Sequence, residues 1–485
     1  MSPPPLPYEQ IEESSSYAII NKIALARVEN LGDTFRSFHS DTGNQEQGQE
    51  QQGEEVVEKA QNKHKIVLVD VIRTPQDTSN TSIAFYRACH RPNQLHFDPH
   101  TVRAAIVTCG GLCPGLNNVV REVVNSLRNI YGVKTVWGVT GGWNGFHNDR
   151  YEPVPLTPAV VRHIHHGGGS FLRTSRGGFD VDKTIAFLQN RNINQLYVIG
   201  GDGTHRAAHK VHEACQERKL NIAVAGVPKT IDNDVDYIDR SFGFNSAVEA
   251  AQNAIRVGLT EAQCTLPNGI AVIKLMGREA GYLGAFAALA SNDVDLVLVP
   301  ECPIVLEGED GILPFLLERV KQKNYAVVVV SEGAGQDLVG ATQMKEAGSG
   351  NKILAPIAEF IRDQISSYFE KQGVDARMKY IDPSYMVRGV PANSSDSLYC
   401  SELAQNAVHC AMAGFTGFSV GLVNNTLVMI PIPHLTATSP RAMNLEQKGG
   451  EIWNRVIAMT GQPRPSRKVC DNNPEAPRRP EPVSR

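Results

Sequence analysis

Short apolar runs recur through the middle of the chain, and each run ends in glycine or a cluster of polar residues. Their lengths and their Val and Ile content are typical of buried strands. In residues 116–130, apolar residues recur at helical spacing and line one face. Strands that alternate with helices predict an α/β fold with parallel sheets that helices cover on both faces. The runs occupy residues 104–111, 195–203, 221–230, 268–277, 294–301 and 325–333.

The two ends of the chain have a different composition. Residues 41–60 are rich in Gln, Glu and Gly and poor in apolar residues, which favours an exposed, mobile segment. Residues 65–100 regain apolar character, and we predict that they pack onto the body of the protein. From Pro463 onward the chain is rich in proline and charge, which predicts a loose tail.

Length, charge and cysteine usage narrow the function classes. The 485 residues provide room for two or three domains at roughly 150 residues each. The formal net charge of −4 gives no basic excess of the kind that nucleic-acid binding requires. No apolar stretch approaches the roughly 18–20 residues that span a bilayer, and the N-terminus lacks a secretory signal pattern. The scattered cysteines indicate reduced thiols, so we expect a cytoplasmic protein, with a plastid location left open.

Glycines and an arginine follow the predicted strands, where ligands bind in open α/β sheets. In GGLCPGLNNVV (110–120), the glycines let a bulky anion approach the backbone, and the following helix N-terminus favours phosphate. The alternative is an ordinary strand-to-helix turn. In TSRGGFD (174–180), Arg176 is suited to contact a phosphate or to stack on a base. The alternative there is a surface arginine.

The segment GGDGTHR (200–206) carries one carboxylate between glycines. Asp202 has no bulky neighbour that would crowd a ligand, and Thr204 opens the predicted helix. A lone carboxylate in such a place suits Mg²⁺, which keeps several waters and takes one or two protein carboxylates. The alternative is a Gly-Asp turn without function.

The segment GVPKTIDNDVD (226–236) places three aspartates at alternate positions after a predicted strand. The spacing is similar to that of a calcium loop, but Tyr237 and Gly243 stand where such a loop needs Gly and Glu. A phosphoryl-transfer site fits better, because one carboxylate can accept the proton of an attacking hydroxyl while another places metal or water. Lys229 and Thr230 offer a cation and a hydroxyl to the phosphoryl group. The alternative is a polar turn.

Three further segments extend the predicted site. Arg278, in KLMGREAG, follows a predicted strand and is placed to stabilise charge or to bind a substrate phosphate. Glu332, in SEGAGQ, is suited to hold sugar hydroxyls, and the alternative is an acid near a helix N-terminus. Tyr385 and Arg388, in YIDPSYMVRGV, are three residues apart, so a helical turn places them on one face. The alternative is a simple surface pair.

In this order, the blocks GGLCPGLN, TSRGG, GGDGT, PKTIDND, FGF, MGR, SEGAGQD and YIDPSYMVR resemble those of ATP-dependent 6-phosphofructokinases. The resemblance is to the branch found in plants and trypanosomatids. It implies two doubly wound, Rossmann-like α/β domains with largely parallel sheets, plus an N-terminal extension. The implied parts are the extension at 1–95, an ATP-binding domain at 96–235 completed by part of 410–445, a sugar-phosphate domain at 236–409, and a C-terminal helix with a loose tail at 446–485.

The resemblance implies phosphoryl transfer from MgATP to the 1-hydroxyl of fructose 6-phosphate, which gives fructose 1,6-bisphosphate and ADP in the committed step of glycolysis. It makes Asp232 the proton acceptor, flanked by Thr230 and Asp234, with Lys229 and Arg278 as cations. The implied ATP-binding residues are Gly111, Arg176, Gly177, Gly201, Asp202, Gly203 and Thr204. Of these, Asp202 is also the implied Mg²⁺ ligand. The implied fructose 6-phosphate residues are Thr230, Ile231, Asp232, Met276, Gly277, Arg278, Glu332, Tyr385 and Arg388. Such enzymes are allosteric and usually tetrameric, so we expect a homo-oligomer, with no nucleic-acid or membrane partner.

Some positions bear on the phosphoryl donor and on subunit contacts. Pyrophosphate-dependent relatives share the lysine found here as Lys229, but tend to carry an aspartate where Gly203 stands, which would crowd and repel a nucleotide. Glycine and lysine together occur in the ATP-dependent branch, so we expect ATP. A pyrophosphate-dependent enzyme and a catalytically silent regulatory subunit are the alternatives. Gly269 stands where bacterial members have an arginine that reaches a neighbouring subunit's sugar phosphate, which puts such a contact in doubt.

Overall fold

The structure is a computed structural model that describes residues 66–69, 83–88, 95–339, 354–437, 439–446 and 450–464. The segment 41–60, which the sequence predicts to be exposed, lies outside these residues. So do most of the 1–95 extension and the predicted tail beyond Arg464.

The described strands form two sheets. Nine strands form the large sheet and four form the small sheet. In chain order the strands are β1 (Ile66–Leu68), β2 (Ala84–Arg87), β3 (Arg103–Thr108), β4 (Thr135–Val139), β5 (Val154–Pro155), β6 (Gln195–Gly200), β7 (Ala223–Pro228), β8 (Gly269–Leu275), β9 (Leu296–Leu298), β10 (Tyr325–Ser331), β11 (Arg377–Ile381), β12 (Phe418–Val423) and β13 (Thr426–Pro431). Each of the six predicted apolar runs overlaps one strand, from β3 through β6 to β10.

Helices connect these strands. They are α1 (Leu116–Asn125), α2 (Pro158–Val161), α3 (Val181–Asn190), α4 (Asp202–Glu217), α5 (Phe244–Cys264), α6 (Tyr282–Ser291), α7 (Ile312–Lys323), α8 (Ile357–Lys371), α9 (Ser384–Arg388), α10 (Ser394–Met412), α11 (Ile432–Ala437) and α12 (Glu451–Thr460). The helix predicted over 116–130 is not one continuous α-helix, because a π-helical turn, Ser126–Ile130, follows α1. Among the helices of the described segments, none has the length and apolar character needed to cross a membrane.

The large sheet has the order β1-β2-β13-β12-β7-β6-β3-β4-β5, and the small sheet has the order β11-β8-β10-β9. The small sheet is parallel throughout. The large sheet is parallel from β12 to β4 and antiparallel toward both edges. At one edge, Asn424 and Asn425 have φ of 47° and 59°, which suits a tight two-residue hairpin turn between β12 and β13. Strands β1 and β2, from the N-terminal extension, continue the sheet beyond that hairpin.

The parallel strands are buried on both faces. Ala104 and Ile106 of β3 belong to one apolar cluster, whereas Ala105 and Val107 belong to another on the opposite face. The first of these clusters also includes inward residues of β8 and β10, so it joins the two sheets. Burial on both faces explains why these strands appear in the sequence as continuous apolar runs rather than as alternating ones.

The carboxyl ends of the parallel strands position the site. Residues that follow β3, β6 and β7 of the large sheet line one cavity of about 730 Å³ together with residues that follow β8 and β10 of the small sheet. A ligand in this cavity therefore meets chain segments from both sheets, at the place where ligands bind in open α/β sheets.

Candidate active site

Most of the residues predicted from the sequence line this single cavity. They are Gly111, Arg176, Gly177, Gly201, Asp202, Gly203, Thr204, Lys229, Thr230, Ile231, Asp232, Asp234, Met276, Arg278, Glu332, Tyr385 and Arg388. Gly277 is the exception among the predicted residues. Its φ is 131°, and a Cβ there would lie 2.6 Å from the carbonyl oxygen of Ala280. Gly277 therefore has a backbone role, because only glycine fits the turn that separates Met276 from Arg278.

Hydrogen bonds hold two predicted loops together on the large-sheet side. The backbone N–H of Gly110 donates to the carbonyl oxygen of Ser175 over 3.1 Å. In return, Thr174 Oγ1 donates to the carbonyl oxygen of Gly110 over 2.7 Å. A Cβ at Gly111 would lie 3.7 Å from the guanidinium of Arg176, so the two loops also meet at the cavity wall. Because glycines have no side chain, this part of the cavity wall consists of backbone that a ligand can approach closely.

Helix α4 begins at the cavity wall. The sequence places its start at Thr204, but the helix begins two residues earlier, at Asp202, because Gly201 is its extended N-cap residue. The unpaired N–H groups of its first turn and the helix dipole favour an anion at this end. At Gly203, a Cβ would meet nothing within 4 Å, and the backbone is outside the left-handed region. Position 203 is therefore free to carry a side chain, so glycine there is not required by the fold.

Asp202 fits a magnesium ligand of the predicted kind. Burial, and then the charge of Asp234, raise the pKa of Asp202 to about 6. A nearby divalent cation would favour the ionised carboxylate. Within the described ranges, no group of three or more His, Cys, Asp or Glu side chains could hold a metal ion. A single carboxylate is a ligand set that Mg²⁺ accepts, because this ion keeps several waters and takes one or two protein carboxylates.

The segment after β7 folds back on itself around Asp232. Thr230 Oγ1 donates to Asp234 Oδ1 over 2.7 Å and accepts from the backbone N–H of Asp232 over 3.1 Å. Asn233 has a φ of 57°, and its Oδ1 accepts from the backbone N–H of Ser241 over 2.8 Å. These bonds fix the backbone on both sides of Asp232. Its Oδ1 is buried and has no hydrogen-bond partner among the described residues, so the oxygen is open to a substrate hydroxyl.

The electrostatics of the cavity centre favour a proton acceptor. Burial, followed by the charges of Asp234 and Glu332, raises the pKa of Asp232 to about 8. A hydrogen bond from the backbone of Arg278 and the charge of Lys229 oppose this increase. Lys229 is itself buried, and burial lowers its pKa. A carboxylate whose pKa lies close to neutral pH is suited to general base catalysis.

The small-sheet side presents charged side chains. Arg278 Nε lies 3.6 Å from Glu332 Oε1, and the backbone N–H of Glu332 donates to the carbonyl oxygen of Leu275 over 2.9 Å. Helix α9 places Arg388 over the ring of Tyr385, with 4.8 Å between the guanidinium carbon and the ring centroid. The two side chains therefore share one helix face, as their spacing predicts. Tyr385 is 77% exposed, so its ring is available at the cavity mouth.

Several lining residues were not found from the sequence. They are Cys109, Leu112, Trp143, Ser175, Phe179, Ala207, Lys274, Asp382 and Ser384. Lys274 Nζ lies 3.0 Å from Asp382 Oδ2, and the backbone N–H of Ser384 donates to Asp382 Oδ1 over 3.0 Å. The strand period of two gives the missing signal for Lys274, because Lys274 of β8 and Met276, which directly follows the strand, are two residues apart. Cys109 is not a candidate nucleophile, since burial raises the pKa of its thiol to about 12.

Gly269 lies at the amino end of β8, opposite the end that carries Met276. A Cβ at Gly269 would lie 2.1 Å from the carbonyl oxygen of Ala262. The backbone of α5 therefore leaves no room for an arginine at this position. Gly269 has no side chain that could reach a neighbouring subunit, so this position cannot form the subunit-crossing contact that the sequence puts in doubt.

Comparisons with known proteins fit this geometry. Residues 103–411 match the family model described as Phosphofructokinase. The chain is 46% identical over 383 residues to a protein of Arabidopsis thaliana named ATP-dependent 6-phosphofructokinase 7, covering 79% of this chain and 77% of the relative. It is 46% identical over 393 residues to the chloroplastic ATP-dependent 6-phosphofructokinase 4 of the same plant, covering 80% and 72%. It is 43% identical over 407 residues to the ATP-dependent 6-phosphofructokinase of Amycolatopsis methanolica, covering 82% and 88%.

A solved structure shares the fold. The pyrophosphate-dependent phosphofructokinase of Marinobacter aquaeolei matches with a TM-score of 0.61 over 75% of this chain and 93% of that chain. The sequences are 19% identical, so this likeness concerns the arrangement of helices and strands alone. It supports the two-domain, Rossmann-like α/β class that the sequence predicts.

Proposed function

The chain belongs to the phosphofructokinase family, and we infer that it transfers the terminal phosphoryl group of ATP to the 1-hydroxyl of fructose 6-phosphate. The products are ADP and fructose 1,6-bisphosphate. The observation that carries this function is the meeting of Asp202, Asp232 and Glu332 in one cavity, each at the carboxyl end of a different strand. The relatives named as ATP-dependent 6-phosphofructokinases support the same reaction.

Asp232 is the proposed general base. The 1-hydroxyl of the sugar donates its proton to a carboxylate oxygen of Asp232 as its oxygen attacks the terminal phosphorus of ATP. The bond between that phosphorus and the bridging oxygen breaks, and ADP leaves. The unbonded Oδ1 and the pKa of about 8 suit Asp232 to accept this proton. Thr230 and Asp234 hold the segment in place through their hydrogen bond.

Positioning and charge supply the remaining catalysis, as is usual for phosphoryl transfer. We assign the phosphate chain to Arg176, Lys229 and the first turn of α4, which line the large-sheet side of the cavity. The Mg²⁺ that Asp202 would help to hold neutralises phosphate charge when it is bound. The absence of a side chain at Gly203 leaves room for the nucleotide beside this helix.

We assign the sugar phosphate to the small-sheet side. Lys274, Arg278 and Arg388 supply positive charge there, and Glu332 is suited to accept from sugar hydroxyls. Tyr385 forms part of the rim beside Arg388. Of these residues, only Lys274 was not predicted from the sequence and is included because it lines the cavity.

Steady-state kinetics with ATP and with pyrophosphate, each against a panel of sugar phosphates, tests the function. We expect turnover with ATP and fructose 6-phosphate, and a kcat/KM for pyrophosphate at least about 100-fold lower. Lys229 is the observation that favours pyrophosphate, whereas the open space at Gly203 favours ATP. Turnover with pyrophosphate but not with ATP would identify pyrophosphate as the phosphoryl donor. Absence of turnover with either donor would indicate a catalytically silent regulatory subunit.

The oligomeric state, the regulation and the cellular compartment of the protein stay predictions. We propose a homotetramer with allosteric control and a cytoplasmic location, although two of the relatives from Arabidopsis thaliana are named as chloroplastic. Light scattering coupled to size-exclusion chromatography measures the assembly, and a monomer at assay concentration would contradict it.

A further inference from the structure

Asp382 is an acid on the side of the active-site cavity that we assign to the sugar phosphate. A carboxylate repels a phosphate, so an acid here weakens binding unless it holds other groups in place. Both of its oxygens are in use. Lys274 Nζ donates to Oδ2 over 3.0 Å, whereas Oδ1 accepts from the backbone N–H of Ser384 over 3.0 Å and also from Ser384 Oγ. Asp382 therefore joins a cation of the cavity to the helix that follows.

The register of the small sheet brings Asp382 to Lys274. Strands β8 and β11 run parallel, and Ile381 of β11 lies opposite Ile273 of β8. Asp382 and Lys274 are the next residues on the two segments, so they lie side by side at the end of the sheet that faces the cavity. Their side chains are only 35% and 23% exposed, so solvent and salt screen this ion pair less than a pair on the open surface.

The other oxygen of Asp382 fixes the start of α9. Ser384 is the first of the five residues of this helix, and Val387, within the same turn, is fully buried in the core. The helix carries Tyr385 and Arg388, which line the cavity with the guanidinium carbon 4.8 Å from the centroid of the tyrosine ring. Asp382 at the start of α9 and the buried Val387 together restrict how far this helix can tilt.

The charges of the pair persist at neutral pH. Partial burial lowers the pKa of Lys274, but the hydrogen bond to Asp382 and the charge of Asp382 outweigh it, so this pKa lies above its usual value. Partial burial raises the pKa of Asp382, but hydrogen bonds from Ser384 and Lys274 outweigh it and hold this pKa below its usual value. Glu359 and Glu332 also attract the charge of Lys274. Loss of Asp382 therefore leaves these two acids as the competing partners of Lys274.

We propose that Asp382 is a positioning residue for the sugar phosphate, which holds Lys274 and α9 in the arrangement that binds the phosphate group. This inference rests on the proposed function, from which it takes the substrate. A lysine and a helix that are already ordered lose less conformational entropy when the phosphate binds. This gain exceeds the repulsion from a carboxylate whose charge Lys274 balances. Asp382 contacts no reacting atom in this proposal, so it acts on substrate affinity and not on the rate of phosphoryl transfer.

Calorimetric titration of the full chain with fructose 6-phosphate tests the proposal and needs no turnover. Asp382→Ala removes both contacts, so we expect the Kd to rise at least about tenfold. Asp382→Asn keeps an oxygen that accepts from Ser384 but loses the ion pair, so we expect a smaller rise, of about threefold to fivefold. Asp375→Asn is the matched control and leaves the Kd unchanged. Asp375 also pairs with a cation, Arg377 at 2.9 Å, but it lies before the other end of β11 and does not line the cavity.

The titration separates failure of the proposal from failure of the proposed function. If the wild type binds fructose 6-phosphate and Asp382→Ala binds it equally well or more tightly, Asp382 only repels the phosphate and the proposal is wrong. If the wild type neither binds fructose 6-phosphate nor turns it over, the proposed function is wrong, and the role of Asp382 is wrong with it.

A double-mutant cycle separates positioning from general support of the fold. If Asp382 acts through Lys274, Asp382→Asn weakens binding in the wild type but changes the Kd by less than about twofold in a Lys274→Met background. Equal losses in the two backgrounds would show that Asp382 supports the fold rather than Lys274, and would overturn the proposal. Thermal unfolding of each variant reports any loss of stability independently.

Steady-state kinetics give the split between affinity and rate. In Asp382→Ala, we expect the KM for fructose 6-phosphate to rise with the Kd, while the KM for ATP is unchanged and kcat stays within about twofold of wild type. A fall in kcat of about tenfold or more at saturating substrates would contradict a role limited to substrate binding.

Discussion

The two sides of the active-site cavity are built in different ways. The large-sheet side is built from glycines, among them Gly111, Gly201 and Gly203, and from the N-terminus of α4. The small-sheet side is built from long charged side chains, such as Lys274, Arg278 and Glu332. A backbone surface suits a chain of phosphates, whose oxygens are alike, whereas individual side chains suit a sugar with distinct groups. Asp232 lies in the same cavity, and we propose that it serves the reaction itself.

The largest effect is expected where the two sides meet. Asp232→Asn keeps the shape of the side chain but removes the base, so kcat falls by roughly 10²–10⁴ while both KM values change little. Stopped-time assays of product formation measure the loss. Asp236→Asn is the matched control, because Asp236 does not line the cavity. Turnover within a few-fold of wild type in Asp232→Asn would remove this residue from the mechanism.

The next largest effect is expected from a substitution on the large-sheet side alone. Gly203→Asp places a negative charge where we assign the nucleotide, so kcat/KM for ATP falls by about 100-fold. The KM for fructose 6-phosphate stays near its wild-type value. Since a Cβ there has open space, thermal unfolding is unchanged, which separates repulsion from misfolding. Normal use of ATP by this variant would show that the nucleotide lies elsewhere.

A smaller effect is expected from a substitution on the small-sheet side alone. Lys274→Met removes one of the cations assigned to the sugar phosphate, and the KM for fructose 6-phosphate rises about tenfold with little change in the KM for ATP. Lys274→Arg restores most of the affinity. Lys323→Met is the matched control, since Lys323 also pairs with an aspartate, Asp295, but lies outside the cavity. A rise in both KM values would indicate a structural role for Lys274 instead.

The smallest expected effect concerns pH. The value of kcat/KM rises with pH as Asp232 loses its proton, because burial and then Asp234 hold its pKa above the usual range, at about 8. Asp234→Asn removes the second of these causes, so the rising limb of the profile moves to lower pH. A profile of kcat/KM against pH for wild type and Asp234→Asn measures the shift. A limb that stays in place or moves to higher pH would contradict the assigned coupling.

The sequence correctly grouped into one cavity the residues that directly follow strands. Asp202, Asp232 and Glu332 could be placed together because the carboxyl ends of parallel strands meet at one edge. Trp143 and Phe179 could not be placed, since a 3-10 helix and a loop bring them to the wall and only tertiary packing fixes both. Sequence position alone also could not separate Gly277, which serves the backbone turn, from its cavity-lining neighbours.

Strand β5 limits how molecules of this protein can associate. It is an edge strand of only two residues, Val154 and Pro155, and proline has no N–H to donate to a further strand. The large sheet therefore cannot grow past this edge by strand addition, which protects the folded chain from edge-to-edge aggregation. Any assembly on this side has to use side-chain contacts between surfaces rather than a shared sheet.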